Sequence, residues 1–436
     1  MTGTGALPEG GLKRVLGRWD LTAIGVNQVI GGAIFAMPAV VAARAGVWSA
    51  WLIVAVGAVS LLIAACFAEV SSRFDATGGP YVYTRTSFGR FLGFEVGWMQ
   101  WFTRVASWAS VINVLVSSLG FYWPLLTTGA LRLVLLAVII AVLAGINIAG
   151  IRQSAWVVNG LTIGKLAPIV LFIAVGLPAV DPARLHAVHS LSPGDAAATA
   201  LLLVYTFGGY EVIPVPAGEA KDPRHAVPFA LIATIVVVTV VFLGAQIVSL
   251  GTLPDLASSK TPLADASALF MGSAGAALIT VGAVISTLGN NMGQALSGSR
   301  MLFALADKGD LPAFIGRVDP RFRTPVNAIL VTAVVSFVLA ATGTFVTMAA
   351  ASAVSRLFIY FFTCAAVLRL RRTSGAAPFR VPLGPVIPLV AIAIVAAILF
   401  GATTEQKVGG LATVAAGAAF FAVAVWNGRR ERRKSW

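Results

Sequence analysis

The amino-acid sequence predicts an all-α polytopic membrane protein with twelve transmembrane helices, of which the first and the sixth are discontinuous. Three observations lead to this prediction. Hydrophobic residues make up 58% of the chain and charged residues only 11%, which lies far outside the range of soluble proteins. Apolar runs of about 20 residues recur along the whole chain. Paired glycines interrupt two of these runs, at residues 31–32 and 208–209.

The first apolar run carries Gly31 and Gly32 near its centre, within residues 27–35. Glycine costs roughly 1 kcal/mol against alanine in a helix interior, and irregular backbone at membrane depth persists only where protein or a watery cavity satisfies it. We therefore predict an unwound segment that offers carbonyl groups from its first half and N–H groups from its second half to a zwitterion, such as an amino acid. The alternative is that both glycines only permit close helix packing.

The second glycine pair, Gly208 and Gly209, is followed by Glu211, Pro214 and Pro216. Paired interruptions at corresponding places in two halves of a hydrophobic chain are typical of a transporter site built from repeats. Five spans separate the starts of the two interrupted runs, so the second half enters the membrane with opposite topology. We therefore predict a 5+5 inverted repeat whose two breaks face each other near the midplane.

The loops between the predicted spans set the orientation. With a cytoplasmic N-terminus, 23 of the 31 Lys and Arg residues lie inside and only five lie outside, so the positive-inside rule places both termini in the cytoplasm. This distribution accounts for the net charge of +14 without nucleic acid as a partner. The predicted spans are approximately residues 21–44, 48–72, 94–122, 131–149, 155–177, 196–218, 227–250, 274–303, 326–342, 346–368, 386–403 and 408–427.

The predicted repeats divide the chain into five parts. A cytoplasmic N-terminus (1–18) leads directly into a full-length span, so no cleavable signal peptide is expected. The first repeat, helices one to five, covers 19–177, and the second, helices six to ten, covers 178–370. Two peripheral helices (371–428) precede a basic cytoplasmic tail (429–436), which we expect to contact the headgroups of anionic membrane lipids.

Two segments between spans carry further signals. Turn residues followed by interfacial aromatic residues at 77–85 predict a short helix on the cytoplasmic membrane surface. The external segment 253–271 combines prolines, mixed charge and apolar residues at helical spacing, which predicts a re-entrant or interfacial lid.

Charged and polar side chains inside the predicted spans mark candidate functional positions, because an ionisable group in a bilayer needs a partner or water. Arg104, Glu211 and Arg356 are either structural or part of the transport path. We expect Glu211 to lie against the second break, protonated or hydrogen-bonded to freed N–H groups, with Arg104 as a partner through water. Helix eight carries a polar run that must face the bundle interior: Ser286, Thr287, Asn290, Asn291 and Gln294.

Four motifs, in order, resemble those of the amino acid, polyamine and organocation transporter superfamily, and the similarity covers about residues 18–427. Gly-Gly-Ala-Ile-Phe at 31–35 stands against the family's Gly-Ser-Gly-Ile-Phe. The other motifs lie at residues 78–81, at 207–211 with 218–223, and at 299–312. The resemblance implies the five-plus-five inverted-repeat fold of the bacterial leucine transporter, with two extra helices and alternating access to a central site.

The resemblance also implies a mode of binding in which helix-one amides bind the substrate carboxylate and carbonyl groups of both breaks bind its ammonium group. Applied to this sequence, the resemblance implies that the N–H groups of Gly32, Ala33 and Ile34 bind the substrate carboxylate. It implies that the carbonyl groups of Val29, Phe207 and Gly208 bind the substrate ammonium group. The complete set of predicted substrate-binding residues is Val29, Ile30, Gly31, Gly32, Ala33, Ile34, Tyr205, Phe207, Gly208 and Glu211.

This sequence departs from the family pattern at the first break. Gly32 stands where many relatives have serine, and Ala33 stands where they have glycine. A hydroxyl contact to the substrate carboxylate is therefore absent, and a methyl group intrudes on the second half-helix. Tyr205 occupies the place where some relatives use an aromatic side chain as a gate over the bound substrate.

Lys165 is the predicted proton-coupling residue, together with Ser286. It lies about ten residues into helix five, roughly 15 Å along the axis, so its ammonium group cannot easily reach the interface. In proton-coupled relatives, a lysine at the matching place takes the position that sodium-coupled relatives give to a sodium ion. We expect its ammonium group to reach carbonyls near Gly25 or Gln28 and the hydroxyl of Ser286. The alternative is a permanently charged structural strut.

The function predicted from the sequence is secondary transport of an amino acid, coupled to protons, with symport and exchange both open. A polyamine or organic-cation carrier on the same fold would need carboxylates lining the cavity, and Glu211 is the only obvious one. A membrane-embedded enzyme would need a metal-binding acidic pair, or a nucleophile with a base, inside the spans, and neither pattern occurs. The cysteines and histidines form no metal-ligand pattern, so no metal or cofactor is predicted.

Overall fold

A computed structural model of the chain describes residues 12–119, 124–186, 190–342, 345–401 and 404–434. All regular elements in these ranges are helical, and a single β-bridge joins Leu16 to Ala220. The all-α prediction is therefore confirmed. Five of the described helices are long and apolar enough to cross a membrane, and a sixth candidate arises when a bent helix pair counts as one span.

Fourteen α-helices lie in these ranges and are numbered here in chain order. They are α1 Arg18–Val29, α2 Ala33–Ala45, α3 Trp48–Ser71, α4 Pro80–Phe88, α5 Arg90–Leu119, α6 Gly129–Ala149, α7 Ile151–Gly176, α8 Pro193–Thr206, α9 Pro223–Thr252, α10 Pro262–Asp307, α11 Val326–Thr342, α12 Phe345–Thr373, α13 Val386–Gly401 and α14 Thr404–Lys434.

The first apolar run is interrupted at the glycine pair. α1 ends at Val29, α2 begins at Ala33, and their axes differ by 49°. The N–H of Ile30 still bonds to the carbonyl of Val26, and the N–H of Gly31 turns back to the carbonyl of Val29 at 2.9 Å. The helical hydrogen bonding of α1 ends at this point. No side chain caps the start of α2.

The second interrupted run does not continue as an α-helix after its glycine pair. α8 ends at Thr206, and residues 207–220 continue as turns with two short 3₁₀ segments, Tyr210–Val212 and Ala217–Glu219. Pro214 and Pro216 lack the N–H groups that a continuous α-helix would need here. The helix is therefore interrupted at the predicted glycine pair, but the half that follows the break is irregular rather than α-helical.

The two loop segments take up helical structure. Residues 77–85 lead into α4, where the Tyr81 hydroxyl donates to Asp310 Oδ2 at 2.6 Å and Arg90 pairs with Oδ1 of the same carboxylate at 2.6 Å. Burial, reinforced by the bond to Asp310, raises the pKa of the Tyr81 hydroxyl, so this group remains a donor. The predicted lid at 253–271 forms a 3₁₀ turn, Leu256–Ser258, and the start of α10, which bends at Gly272.

The chain before α1 is fastened to the segment after the second break. The N–H groups of Val15 and Leu16 both donate to the carbonyl of Glu219, at 2.9 and 3.0 Å. The Glu219 carboxylate pairs with Arg300 Nε at 3.2 Å, and both side chains are fully buried. Arg300 also donates to Asn147 Oδ1. These contacts close the end of the bundle at which α1 begins.

Candidate functional site

The two breaks lie directly against each other. Gly209 has φ +132°, and a Cβ atom placed on it would lie 2.9 Å from the carbonyl carbon and oxygen of Gln28 and 3.1 Å from the nitrogen of Val29. A side chain at Gly209 would therefore be strained in its backbone and would also collide with the end of α1. The glycine allows the irregular half of the second run to touch the end of α1.

The start of α2 opens onto unfilled space. Gly32 and Ala33 are exposed, whereas Val29, Ile30, Gly31 and Ile34 are buried. A Cβ atom on Gly32 would meet nothing closer than Thr287 Oγ1 at 3.9 Å. The first N–H groups of a helix lack intrahelical partners and attract anions, so this uncapped start can receive a carboxylate.

The predicted substrate-binding residues near the second break have different surroundings. The Phe207 side chain is buried and its ring lies edge-on to Phe242 of α9, with 5.2 Å between centroids. Gly208 faces the guanidinium of Arg356, since a Cβ atom on Gly208 would lie 3.1 Å from Arg356 Cζ. The Tyr205 side chain, predicted as a gate, lies outside the described part of the structure.

Lys165 joins three helices at the first break. Its buried ammonium group donates to the carbonyls of Asn27 at 3.0 Å, Ile30 at 2.7 Å and Ser286 at 3.3 Å. An ammonium group has three donors, and all three find acceptors here. The contacts join α7 to the end of α1 and to α10.

The structure specifies one detail of the Lys165 prediction and corrects another. The acceptors at the end of α1 are the carbonyls of Asn27 and Ile30, which lie on either side of Gln28. The contact to Ser286 is made through its backbone carbonyl. Its hydroxyl instead donates to the break, to the carbonyls of Ile30 at 3.2 Å and Gly31 at 3.0 Å.

Side-chain amides interlock α1 with α10 beside these contacts. Asn27 donates to the carbonyl of Gly289 at 2.5 Å, and Gln28 donates to the carbonyl of Asn290 at 3.1 Å. Asn290 donates back to the carbonyl of Gln28 at 3.1 Å. The polar run predicted for helix eight, which lies in α10, thus faces the interior as predicted. Ser286 and Asn290 bond to the end of α1. The other three side chains donate within α10: Thr287, Asn291 and Gln294.

The Glu211 carboxylate is fully buried, accepts three hydrogen bonds and forms ion pairs with two arginines. Its Oε1 atom lies 2.6 Å from Arg104 Nη2 and 2.9 Å from Arg356 Nε. Its Oε2 atom accepts the N–H of Gly209 and the hydroxyl of Tyr360, each at 2.8 Å. The bond to Gly209 agrees with the expected contact to a freed N–H group, whereas the pairing with Arg104 is direct and not through water.

Sequence reasoning missed that Arg356 and Tyr360 converge on Glu211. Both lie on α12, at positions i and i+4 of one helix face, about 150 residues after the glutamate. Their spacing was readable from the sequence. What the sequence lacks is a signal that this face turns towards the second break.

We expect Glu211→Gln to destabilise the protein, because neutralising the carboxylate leaves two buried guanidinium groups without their shared counter-ion. Removing one partner of a buried ion pair typically costs about 3 to 5 kcal/mol. Tyr360→Phe is the matched variant, since it removes a single hydrogen bond to the same carboxylate and should cost about 1 kcal/mol. Thermal unfolding of the purified proteins in detergent measures both. Equal midpoints for the two variants would contradict this account.

Transport assays separate a structural from a proton-relay role for Glu211. Retained, still pH-dependent transport by the Glu211→Gln protein, measured below its unfolding midpoint, is the expected result for a structural carboxylate. Loss of pH dependence with folding intact would assign a relay role instead.

Comparison with known proteins bears on what this arrangement does. The family profile described as "Amino acid permease" matches residues 16–424. An uncharacterized transporter of Mycobacterium tuberculosis is 32% identical over 431 residues, covering 97% of this chain and 94% of that protein. The methylthioribose transporter of Bacillus subtilis is 28% identical over 402 residues, with 88% and 87% covered. The serine/threonine exchanger SteT of Bacillus subtilis is 29% identical over 408 residues, with 88% and 90% covered.

Proposed function

We propose that this chain, which belongs to the amino acid permease family and is a multi-pass membrane transporter, carries an amino acid across the cytoplasmic membrane by alternating access and couples this movement to protons. One observation carries the proposal. The uncapped, exposed start of α2 belongs to the first break, where the second break touches the end of α1, and Lys165 is bonded to Ile30 of the first break.

The substrate, in this proposal, binds across both breaks. Its carboxylate receives the N–H groups of Gly32, Ala33 and Ile34, which begin a helix whose dipole favours negative charge. Its ammonium group donates to the backbone carbonyls at the end of α1 and of residues 207–208. A polyamine is disfavoured at this site, because the only carboxylate at the breaks, among the described residues, is already paired with two arginines.

The proton, in this proposal, acts through Lys165. A charged Lys165 holds the end of α1 to α7 and α10 through three carbonyls. The chain before α1 is meanwhile fastened to Glu219, whose carboxylate pairs with Arg300. Loss of the proton would remove one N–H donor from the three bonds between Lys165 and these carbonyls. The end of α1 would then be held less tightly, and the cytoplasmic side would open.

The membrane topology in this proposal is that of twelve spans with both termini in the cytoplasm. Residues 19–177 and 178–370 form the two inverted repeats, 371–428 the peripheral pair, and the basic tail contacts anionic lipids. Cysteine labelling at Ser258, between α9 and α10, and at Thr86, in α4, tests the sidedness, since both side chains are exposed. The external side is expected at Ser258 and the cytoplasmic side at Thr86.

The function is tested with the purified full-length protein. A panel of amino acids, polyamines and sugars is screened for a raised unfolding midpoint, because a ligand that binds only the folded state stabilises it. Hits are then followed as uptake into proteoliposomes, with and without an inward-directed proton gradient. Midpoint shifts and gradient-driven accumulation are expected for an amino acid. Response to polyamines or sugars alone would contradict the proposal.

Exchange is the second candidate mechanism, because one relative is named a serine/threonine exchanger. Vesicles loaded with unlabelled amino acid distinguish the two mechanisms. An exchanger takes up label only when the vesicles are loaded, whereas a symporter accumulates label in empty vesicles under a proton gradient.

A further inference from the structure

Arg356 and Arg104 both pair with Glu211, but their side chains differ in exposure and in neighbouring residues. The Arg104 side chain is 1% exposed, whereas 10% of the Arg356 side chain remains exposed. The Arg356 guanidinium also lies against the second break: a Cβ atom on Gly208 would strike Nη1 and would lie 2.8 Å from Cδ. Arg356 is thus the member of this cluster that reaches a residue of the proposed substrate site.

The carboxylate of Glu211 is already paired with arginine. Oε1 forms ion pairs with both guanidinium groups and accepts a hydrogen bond from Arg104, and Oε2 accepts from Gly209 and Tyr360. A positively charged substrate group would have to compete with two arginines for this carboxylate. Glu211 therefore orients Arg356 instead of recognising a cation.

The charged side chains at the breaks, within the described part of the chain, sum to a positive value. Arg104 and Arg356 bring two positive charges to the cluster, and Glu211 brings one negative charge. Lys165, bonded to carbonyls of α1 and α10, lies at the adjoining break. Electrostatic interactions are strong in a medium of low dielectric constant, so a cluster with excess positive charge favours an incoming anion.

A neutral amino acid does not compensate this excess positive charge, because its own ammonium group balances its carboxylate. An amino acid with an acidic side chain brings one further negative charge. A guanidinium binds a carboxylate through two parallel N–H···O bonds, which gives direction as well as affinity. A cationic side chain placed beside Gly208 would instead meet the guanidinium of Arg356.

We propose that the transported amino acid carries a second carboxylate, and that Arg356 binds this carboxylate at the face of the second break and selects for it. The inference rests on the proposed function, since it assigns the side-chain end of a substrate whose backbone groups lie on the start of α2. Glu211 is the positioning residue in this assignment, because its ion pair holds the Arg356 guanidinium beside Gly208, and Arg104 pairs with the same carboxylate.

The first test needs no substitution. Purified parent protein in proteoliposomes is assayed for inhibition of uptake and for midpoint shifts by L-glutamate and L-aspartate against L-glutamine and L-asparagine, which have the same shapes without the charge. L-lysine represents cationic substrates. An acid is expected to bind at least about tenfold more tightly than its amide, and L-lysine is expected not to compete. Equal or tighter binding of the amides would overturn the inference.

The second test is Arg356→Gln, which keeps hydrogen-bond donors and removes the charge. The acid-to-amide preference is expected to fall to about one, and Arg356→Lys is expected to restore part of it. Arg132→Gln is the matched control, since Arg132 of α6 is a part-buried guanidinium bonded to Asn113 and Ala340 away from the breaks. An unchanged preference in the Arg356→Gln protein would contradict the assignment.

Failure of this inference and failure of the proposed function give different results. Preference for neutral amino acids leaves the amino acid transporter in place and removes the role of Arg356. Absence of any response to amino acids, acidic or neutral, removes both. The acid-to-amide ratio of the parent protein decides the inference even where the Arg356→Gln protein does not fold.

Discussion

Replacing Gly32 by valine is expected to abolish amino acid binding while the protein remains folded. Gly32 has φ −66°, which any residue can adopt, and its nearest neighbour beyond the backbone would be Thr287 Oγ1 at 3.9 Å from an added Cβ. The valine methyl groups would therefore fit the structure but would cover the N–H groups at the start of α2. Losing two charge-assisted hydrogen bonds lowers affinity by at least about a hundredfold.

Binding is measured as the substrate-induced shift in the unfolding midpoint and as uptake into proteoliposomes. Gly160→Val in α7 is the matched control, because Gly160 is exposed and an added Cβ would meet nothing within 4 Å. The control is expected to bind and transport as the parent does. A Gly32→Val protein that also did so would show that the substrate does not use the start of α2.

Gly209→Ala should behave in the opposite way. Its added Cβ would lie 2.9 Å from the backbone of Gln28, in a backbone conformation that favours glycine, so the two breaks would be forced apart. The unfolding midpoint itself should then fall. The contrast between Gly32 and Gly209 separates a glycine that leaves room for a ligand from a glycine that allows two segments to touch.

The positions of the breaks were predictable because glycine pairs inside apolar runs are locally unfavourable and therefore informative. The place of Lys165 was predictable for a similar reason, since an ammonium group in mid-span must find acceptors and an unwound helix end supplies carbonyls. The individual acceptors were not predictable. Which carbonyls turn towards α7 depends on the local geometry of residues 27–31, and the sequence does not specify that geometry.

The surroundings of Glu211 show where sequence reasoning ends. Its partners Arg104 and Tyr360 lie 107 and 149 residues away along the chain. A pairing over that separation depends on how α5 and α12 pack around the second break, and not on any local pattern. The irregular half of the second run is similar. Pro214 and Pro216 were visible in the sequence, but the 3₁₀ turns around them also depend on contacts with the end of α1 and with residues 78–79, just before α4.

Replacing Lys165 by methionine is expected to remove the response of transport to a proton gradient. Methionine has a similar length and fits an apolar interior, but it has no N–H donor for the carbonyls of Asn27, Ile30 and Ser286. The end of α1 would then be held to α10 by hydrogen bonds that do not depend on a titrating group, including those of Asn27 and Gln28. Proton movement would no longer accompany the opening of α1.

The measurement is uptake into proteoliposomes with and without an inward-directed proton gradient, for the parent and for Lys165→Met. The parent is expected to accumulate substrate at least about tenfold more with the gradient, and the variant to take up equal amounts in both conditions. Ser286→Ala is the matched control, because it removes a hydroxyl that bonds Ile30 and Gly31 but leaves the backbone carbonyl that accepts from Lys165.

The control distinguishes coupling from general weakening of the first break. If Lys165 only braces the break, both variants lower the unfolding midpoint and both retain the gradient response. If Lys165 carries the coupling, Ser286→Ala retains the response at reduced rate and Lys165→Met alone loses it. A parent that ignores the gradient, or a Lys165→Met protein that responds as strongly as the parent, would exclude Lys165 as the coupling residue, because its three carbonyl contacts would then serve packing alone.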